Sequence, residues 1–308
     1  MISSTPDTQP TGTSASEAVV TPAEPYWSQT WRRFKKHKLA VASLVTLIIL
    51  VLAAWLGPII IPYGFDDLDL NHTKEAFSWA HPLGTDELGQ DTLVRLLYAG
   101  RVSLTVGLFA AVFGVVIGSI VGALAGFYGK LVDGVLMRMA DIMLAVPVLM
   151  LIMVLSTYFK DKPIPGGQIG IIVFILGITG WMGVSRLVRG EFLTLREQEF
   201  IEAARAVGME DSGIIMRHML PNAMAPIFVS ATLGVADAIM MESALSFLGF
   251  GIQPPTPTWG NMLTNAQQYM IDTPWLAFYP GFLIFLTIVS VNYVGDGLRD
   301  ALDPKLKR

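Results

Sequence analysis

The 308-residue chain contains no cysteine, which excludes disulfides and thiolate-held metals. Charge is scarce as well. Only 15% of residues are Asp, Glu, Lys or Arg, against about a quarter in a soluble domain. A net charge of −4 argues for no nucleic-acid partner. Enzyme signatures are also missing. The four histidines form no H-E-x-x-H, and no G-x-S-x-G elbow occurs. One Gly-Lys pair exists, Gly129-Lys130, and Leu131 follows it, so the chain has no phosphate-binding loop. The first twenty-five residues lack Lys and Arg, which excludes a secretory signal. Their Ser, Thr and Pro content reads as a disordered tail, ending near residue 30.

What the chain does have is long apolar runs. A helix needs about 20 mostly apolar residues to cross ~30 Å of hydrocarbon. Six stretches qualify: Leu39–Ile61, Val102–Gly126, Val135–Phe159, Ile169–Val188, Ala223–Phe247 and Ala277–Val294. The expected fold class is therefore all-α, a polytopic membrane protein with six transmembrane helices. Pro147 is expected to kink the third. Lys and Arg set the orientation. If WRRFKKHK, just before the first span, is cytoplasmic, that side receives sixteen basic residues and the other five. Both termini are then expected in the cytoplasm, with the acidic loop from Tyr63 to Tyr98 outside. The organisation expected is a tail at 1–30, a first span and outer loop at 31–98, a five-helix core at 99–300 containing a cytoplasmic segment at 190–222, and a cytoplasmic tail at 301–308.

Gly107, Gly114, Gly118, Gly122 and Gly126 stripe the second span, the last four at intervals of four residues. Such a stripe admits another backbone closely; whether a helix of this chain or of a partner is left open. Arg138 and Asp141, three apart, can neutralise one another. Asp237 and Glu242 point about 140° apart on a helix and cannot share a narrow site. Asp237 is a candidate for the edge of a translocation path, the alternative being a hydrogen bond to a neighbouring helix. Glu242 reads as architectural. Gln253-Pro254-Pro255 is expected to make a rigid outer corner. Trp259, Trp275 and Tyr279 fit an interfacial aromatic belt.

Between spans four and five stands EFIEAARAVGMEDSGIIMRHMLPN, residues 199–222. Thr194 and Glu197 fit a capping box, Gly208 a left-handed helix end, and Asp211 or Ser212 the cap of a second helix stopping at Pro221. The expectation is helix, sharp turn, helix. Phe200, Ala203, Ala204 and Val207 gather on one face of the first helix, and Glu202 offers a carboxylate for a positioned hydrogen bond or ion pair. Docking of a protein partner suits this helix better than lying on lipid headgroups, for which basic residues on the polar face would be wanted.

The segment EAARAVG, nine residues and HMLP resembles the EAA signature of bacterial ATP-binding-cassette importer permeases. It matches at Glu202, Ala203, Ala204, Gly208, Leu220 and Pro221, and departs at His218, where the general pattern has Ile. The departure is similar to the dipeptide, oligopeptide and nickel branch. HPLGTDELGQD (His81–Asp91, with Gln90 for the usual Arg), ALSFLGFGIQPPTPTWGNML (Ala244–Leu263) and GDGLRDALDPKLK (Gly295–Lys307) resemble the same branch, in order along the chain. The likeness is to the C-type membrane subunit. It implies a type I importer bundle (MetI-like) with Glu202–Gly208 as a coupling helix, and a bacterial plasma-membrane location. It implies as partners a second homologous permease subunit, two cytoplasmic ATP-binding subunits that bind the ATP and Mg, and an external solute-binding protein delivering dipeptides or oligopeptides. No cofactor is expected on this chain. A nickel or other small-solute importer is the nearest alternative. A secondary transporter is the alternative of another class, although no internal repeat of the kind such transporters show is evident.

Overall fold

The computed structural model describes residues 26–302, and these are organised by helices alone. A short helix α1 (Tyr26–Phe34) precedes α2 (Lys38–Ile60), and an irregular loop leads to α3 (Thr92–Tyr128). Then come α4 (Lys130–Ala145), α5 (Val148–Phe159), α6 (Gly167–Arg196), α7 (Glu199–Ala206) and the single turn α8 (Asp211–Gly213). A π-helical turn, Ile214–Met219, runs into α9 (Leu220–Phe247), and α10 (Trp259–Gln267) and α11 (Trp275–Leu302) complete the order. Residues 1–25 and 303–308, and with them most of both expected tails, lie outside the described residues. Residues 26–30, expected as tail, belong to α1.

Five helices are long and apolar enough to cross a membrane, and α4 with α5 makes a sixth crossing only as a broken pair. The single kinked helix expected over Val135–Phe159 is thus corrected to two helices meeting at 89°. Proline explains the severity. Pro147 has no N–H to continue the ladder and drives the preceding residue out of helical conformation, and Val146 is extended at φ −86° and ψ 130°. The start of α3 is also corrected. Residues 92–98, inside the loop expected from Tyr63 to Tyr98, are helical, because Asp91 caps the helix by accepting from the Val94 N–H at 2.8 Å. At 37 residues, α3 is roughly 55 Å long and extends well beyond the hydrocarbon.

Packing centres on α3. Its glycine stripe lies against α6, which runs parallel to it. A Cβ added at Gly118 would sit 2.7 Å from the Trp181 carbonyl, at Gly122 2.5 Å from that of Ser185, and at Gly126 2.6 Å from the Phe192 Cβ. At Gly107 the neighbour is Ile239 of α9, at 2.4 Å. The stripe is therefore used within this chain. Pro58 in α2 leaves the Ala54 carbonyl without its helical donor, and Arg101 of α3 supplies one, Nε donating at 2.7 Å. Asp141 pairs with Arg186 of α6 at 2.6 Å and not with Arg138, which stays exposed. An interhelical carboxylate–guanidinium contact ties α4 to α6 where a contact along α4 would tie nothing.

Where α3, α9 and α10 meet, Glu242 is wholly buried. Its carboxyl accepts from Ser103 Oγ of α3 at 2.9 Å and Ser246 Oγ at 2.8 Å. Beside it Trp259, corrected from an interfacial to a core residue at 2% exposure, donates its indole N–H to the Leu96 carbonyl at 3.1 Å. Glu242 is architectural, as its sequence context implied. Glu242→Gln keeps an acceptor for the two serines and is expected to leave thermal stability within a few degrees of wild type. Glu242→Leu orphans both hydroxyls in an apolar setting and is expected to cost about 1–3 kcal/mol, read as a lowered melting temperature in detergent.

Candidate coupling site

The end of the bundle that gathers the C-terminal ends of α3 and α6 with the start of α9 carries α7. Its local structure follows from few residues. The chain leaves α6 at Glu197, turns through extended Gln198 (φ −82°, ψ 143°), and re-enters helix at Glu199. The expected capping box at Thr194 is not formed. Thr194 lies inside α6, its hydroxyl donating to the Gly190 carbonyl at 3.2 Å. The last turn of α6 simply continues past it. The end of α7 is as expected. Gly208 takes φ +79°, its N–H reaches the Arg205 carbonyl at 2.9 Å, and the Met209 N–H reaches that of Ala204 at 3.1 Å. This paired reverse bonding closes a helix only through a left-handed residue.

The second helix does not stop at Pro221. Glu210, with no side-chain bond, stands at the cap position expected for Asp211 or Ser212. The π turn carries the chain into α9, the Leu220 N–H reaching the Ile215 carbonyl, and Pro221 sits in the first turn of α9. Pro221, which has no N–H to donate, follows directly on the turn where the helix ladder has shifted to π spacing.

α7 has two faces. Ile201 and Ala204 point inward, into an apolar cluster with Phe127 of α3, Val188 and Phe192 of α6, Ile214 and Met219 of the π turn, and Ala223 of α9; Leu220 packs at its edge. Arg205 lies over the Phe127 ring at 5.6 Å, and Arg196 Nη1 donates to the Phe127 carbonyl at 3.3 Å, covering an unpaired group at the end of α3. Phe200, Ala203 and Val207 face outward, Val207 80% exposed, with Met216 beyond the turn also exposed. Among the described residues the exposed carboxylate of Glu202 has no hydrogen bond or ion pair. One expectation is corrected: Ala204 belongs to the buried face, not the exposed one. The exposed apolar face is rimmed by the unpaired acid of Glu202 and fixed from behind, through Ile201 and Ala204, to three long helices. Pro221 is exposed at the start of α9, so of the six signature residues Glu202, Ala203, Gly208 and Pro221 are presented outward, and Ala204 and Leu220 hold the base.

Asp237 lies far along α9, exposed, with no hydrogen bond or ion pair among the described residues, on the face away from Glu242. The alternative of a bond to a neighbouring helix of this chain is therefore not realised. At the opposite end of the bundle, a cleft of about 200 Å³ opens between α5, α6 and the corner after α9, lined by Ser156, Lys160, Gln168 and Gln253 among others. The corner is held from within. Gln253 N–H donates to Gln168 Oε1 at 2.9 Å, and Asn261 Nδ2 donates to the carbonyls of Ile252 and Thr256. At this end the loop after α2 is clamped by His81 Nδ1 against Asp91 at 2.8 Å and by Asp86 against Arg95 at 3.3 Å. Composition gave no hint of this internal bonding, since the same acids read equally well as a solvated rim. Within that loop, the hydrogen bond between Asp69 and His72 holds the carboxyl below its ordinary range and raises the imidazole.

A bundle of membrane-length helices with a braced, outward-facing helix at one end defines a polytopic membrane protein. The comparisons agree with it. The family described as the binding-protein-dependent transport system inner membrane component matches residues 114–308, and the N-terminal TM domain of oligopeptide transport permease C matches residues 25–78. The chain belongs to this family of inner membrane transport components. It is a permease subunit and not an enzyme. Among its relatives, the dipeptide transport system permease protein DppC of Alkalihalophilus pseudofirmus is 38% identical, covering 91% of this chain and 90% of the relative. The oligopeptide transport system permease protein OppC of Escherichia coli K12 is 42% identical over 91% of each. Among solved structures, inward-facing forms of the MetNI methionine ABC transporter match with TM-scores of 0.53 and 0.55 at 18% and 17% identity. They cover 68% of this chain and 96% of theirs, which identifies the same bundle.

Proposed function

We propose that the chain forms one half of the translocation pathway of an ATP-driven importer for dipeptides or oligopeptides. A second homologous permease completes the pathway, a solute-binding protein delivers the peptide from outside, and two cytoplasmic ATP-binding subunits hold the ATP and Mg. The α7 end then faces the cytoplasm with both termini, as the distribution of Lys and Arg requires. The observation that carries the reading is the exposed face of α7, locked by Ile201 and Ala204 into the cluster that joins α3, α6 and α9. A push on that face is delivered to three spans at once, and packed helices respond by rigid-body movement. The peptide substrate rests on the names of relatives near 40% identity that align along nearly the whole chain. Asp237, an exposed carboxylate of α9 with no partner among the described residues, is placed in this reading at the pathway edge, where it attracts the peptide's ammonium terminus.

One uptake assay tests these statements. Cells carrying the full transporter are expected to lose most of their labelled dipeptide uptake when ATP is depleted and the ion gradient held constant. Persistent uptake would indicate a secondary transporter, and ATP-driven uptake of nickel without peptide would indicate the other branch. In the same assay Asp237→Asn is expected to weaken uptake of peptides with free amino termini and to spare N-acetylated ones. Equal uptake of both removes Asp237 from the pathway.

A further inference from the structure

α1 and the turn that follows it are used neither by the coupling cluster nor by the pathway, yet they are firmly built. Phe34 is buried between Ala40 and Ala301. Gly297 of α11 makes room for this contact, since a Cβ there would lie 2.3 Å from the Ala40 Cβ and 3.2 Å from the Phe34 ring. His37 then caps α2, Nδ1 accepting from the Ala40 N–H at 3.2 Å, so the chain passes from α1 into the apolar span with little freedom. This rigid corner presents Lys35, Lys36 and Lys38 to solvent at the mouth of the span, beside Trp31, which is 51% exposed. Trp31 stacks on Phe34 at 5.7 Å, and Lys35 Nζ lies 5.2 Å from its ring. Residues 26–38 include Arg32 and Arg33 and contain no acid. The carboxylate that does approach from a neighbouring element is Asp300 of α11, 3.9 Å from His37. Among the described residues none of the three lysines has an ion pair.

We propose that this corner is a binding site for anionic phospholipid headgroups. The exposed indole sits at the depth of the headgroups, where amphipathic aromatic rings are favoured. The lysines supply point charges to lipid phosphates, each basic residue near an anionic surface adding to the attraction. Because Phe34 seats α1 on α11, bound lipid also braces the end of the bundle that carries α7. The proposal concerns a ligand class apart from the transported solute and stands independently of the peptide reading.

The test uses the whole transporter in nanodiscs of mixed phosphatidylcholine and phosphatidylglycerol, with the retained lipid quantified by mass spectrometry after detergent extraction. The wild type is expected to retain phosphatidylglycerol well above its bulk fraction. The triple change Lys35→Gln, Lys36→Gln, Lys38→Gln is expected to cut that enrichment at least about fivefold, while the triple change to Arg preserves it. Should the glutamine variant fail to insert, the wild type alone decides. Its enrichment must fall in ~1 M salt, where the screening length is about 3 Å. Retained lipid at the bulk ratio, enrichment indifferent to salt, or a glutamine variant that keeps its lipid but sheds associated subunits would each overturn the proposal, the last by showing that the corner docks protein.

Discussion

Gly208→Val is expected to strip the ATP-binding subunits from the purified transporter, reducing their recovery per permease by tenfold or more, with the permease still inserted. The residue has open space where a Cβ would go, so no clash is involved. The effect lies in the backbone. φ +79° is left-handed, a conformation that costs an ordinary L-residue about 1–2 kcal/mol and a β-branched one more. Relief comes from unwinding the reverse bonds of Gly208 and Met209, and that swings the outward face of α7 away from its seat. Gly208→Asn is the control, because asparagine tolerates this region, and it is expected to retain most of the partner. Glu202→Lys reverses an unpaired exposed charge without touching the fold and is expected to release the partner as well. Stoichiometric recovery with both Gly208→Val and Glu202→Lys would remove α7 as the docking element.

The second large effect is expected from the glycine stripe, and it reads stability where the first reads assembly. Gly122→Val would place its Cβ against the Ser185 carbonyl and the Val188 Cβ, at 2.5 Å and 2.8 Å, with backbone on one side and a branched side chain on the other. Neither can yield, so α3 and α6 must part along their most extensive contact. Overpacking of this kind costs about 1–3 kcal/mol per site. The single variant is expected to show a clearly lowered melting temperature, and the pair Gly118→Val with Gly122→Val to yield no monodisperse protein. Gly114→Ala meets its nearest neighbours at 3.4 Å and is expected to behave nearly as wild type. The grading matters. A stripe serving a partner subunit would give stable single chains that fail to assemble, and that outcome would overturn the packing described here.

These two sites differ in how much of them could be read in advance. The turn at Gly208 was legible because the helix end is a local event, settled by one residue's freedom at positive φ. The identities of Glu202, Ala203, Ala204, Leu220 and Pro221 were legible through resemblance. Which of them face outward was not, because Ile201 and Ala204 are turned inward by Phe127, Val188 and Phe192, residues remote in sequence. Arg138 and Asp141 show the same limit. The i, i+3 spacing permits a pair along the helix, but Arg186 across the gap offers a better partner. Pro147 by itself predicts a kink, yet spacing cannot reveal that Ser156 beyond the bend bonds to the Phe250 carbonyl and so helps hold α5 on its new course.

Residue order alone determined the class of molecule, the long apolar crossings, the asymmetry of basic charge and the punctuated segment between two spans. Each depends on hydropathy, charge or backbone freedom within a window of some twenty residues. Tertiary structure decided that the stripe on α3 serves α6, that Trp259 belongs to the core, that Glu242 is bonded and Asp237 is not, and that α7 rests on a shared base beneath three spans. Those outcomes turn on distances between groups far apart in the chain, and close packing selects among partners that the order of residues leaves equally available.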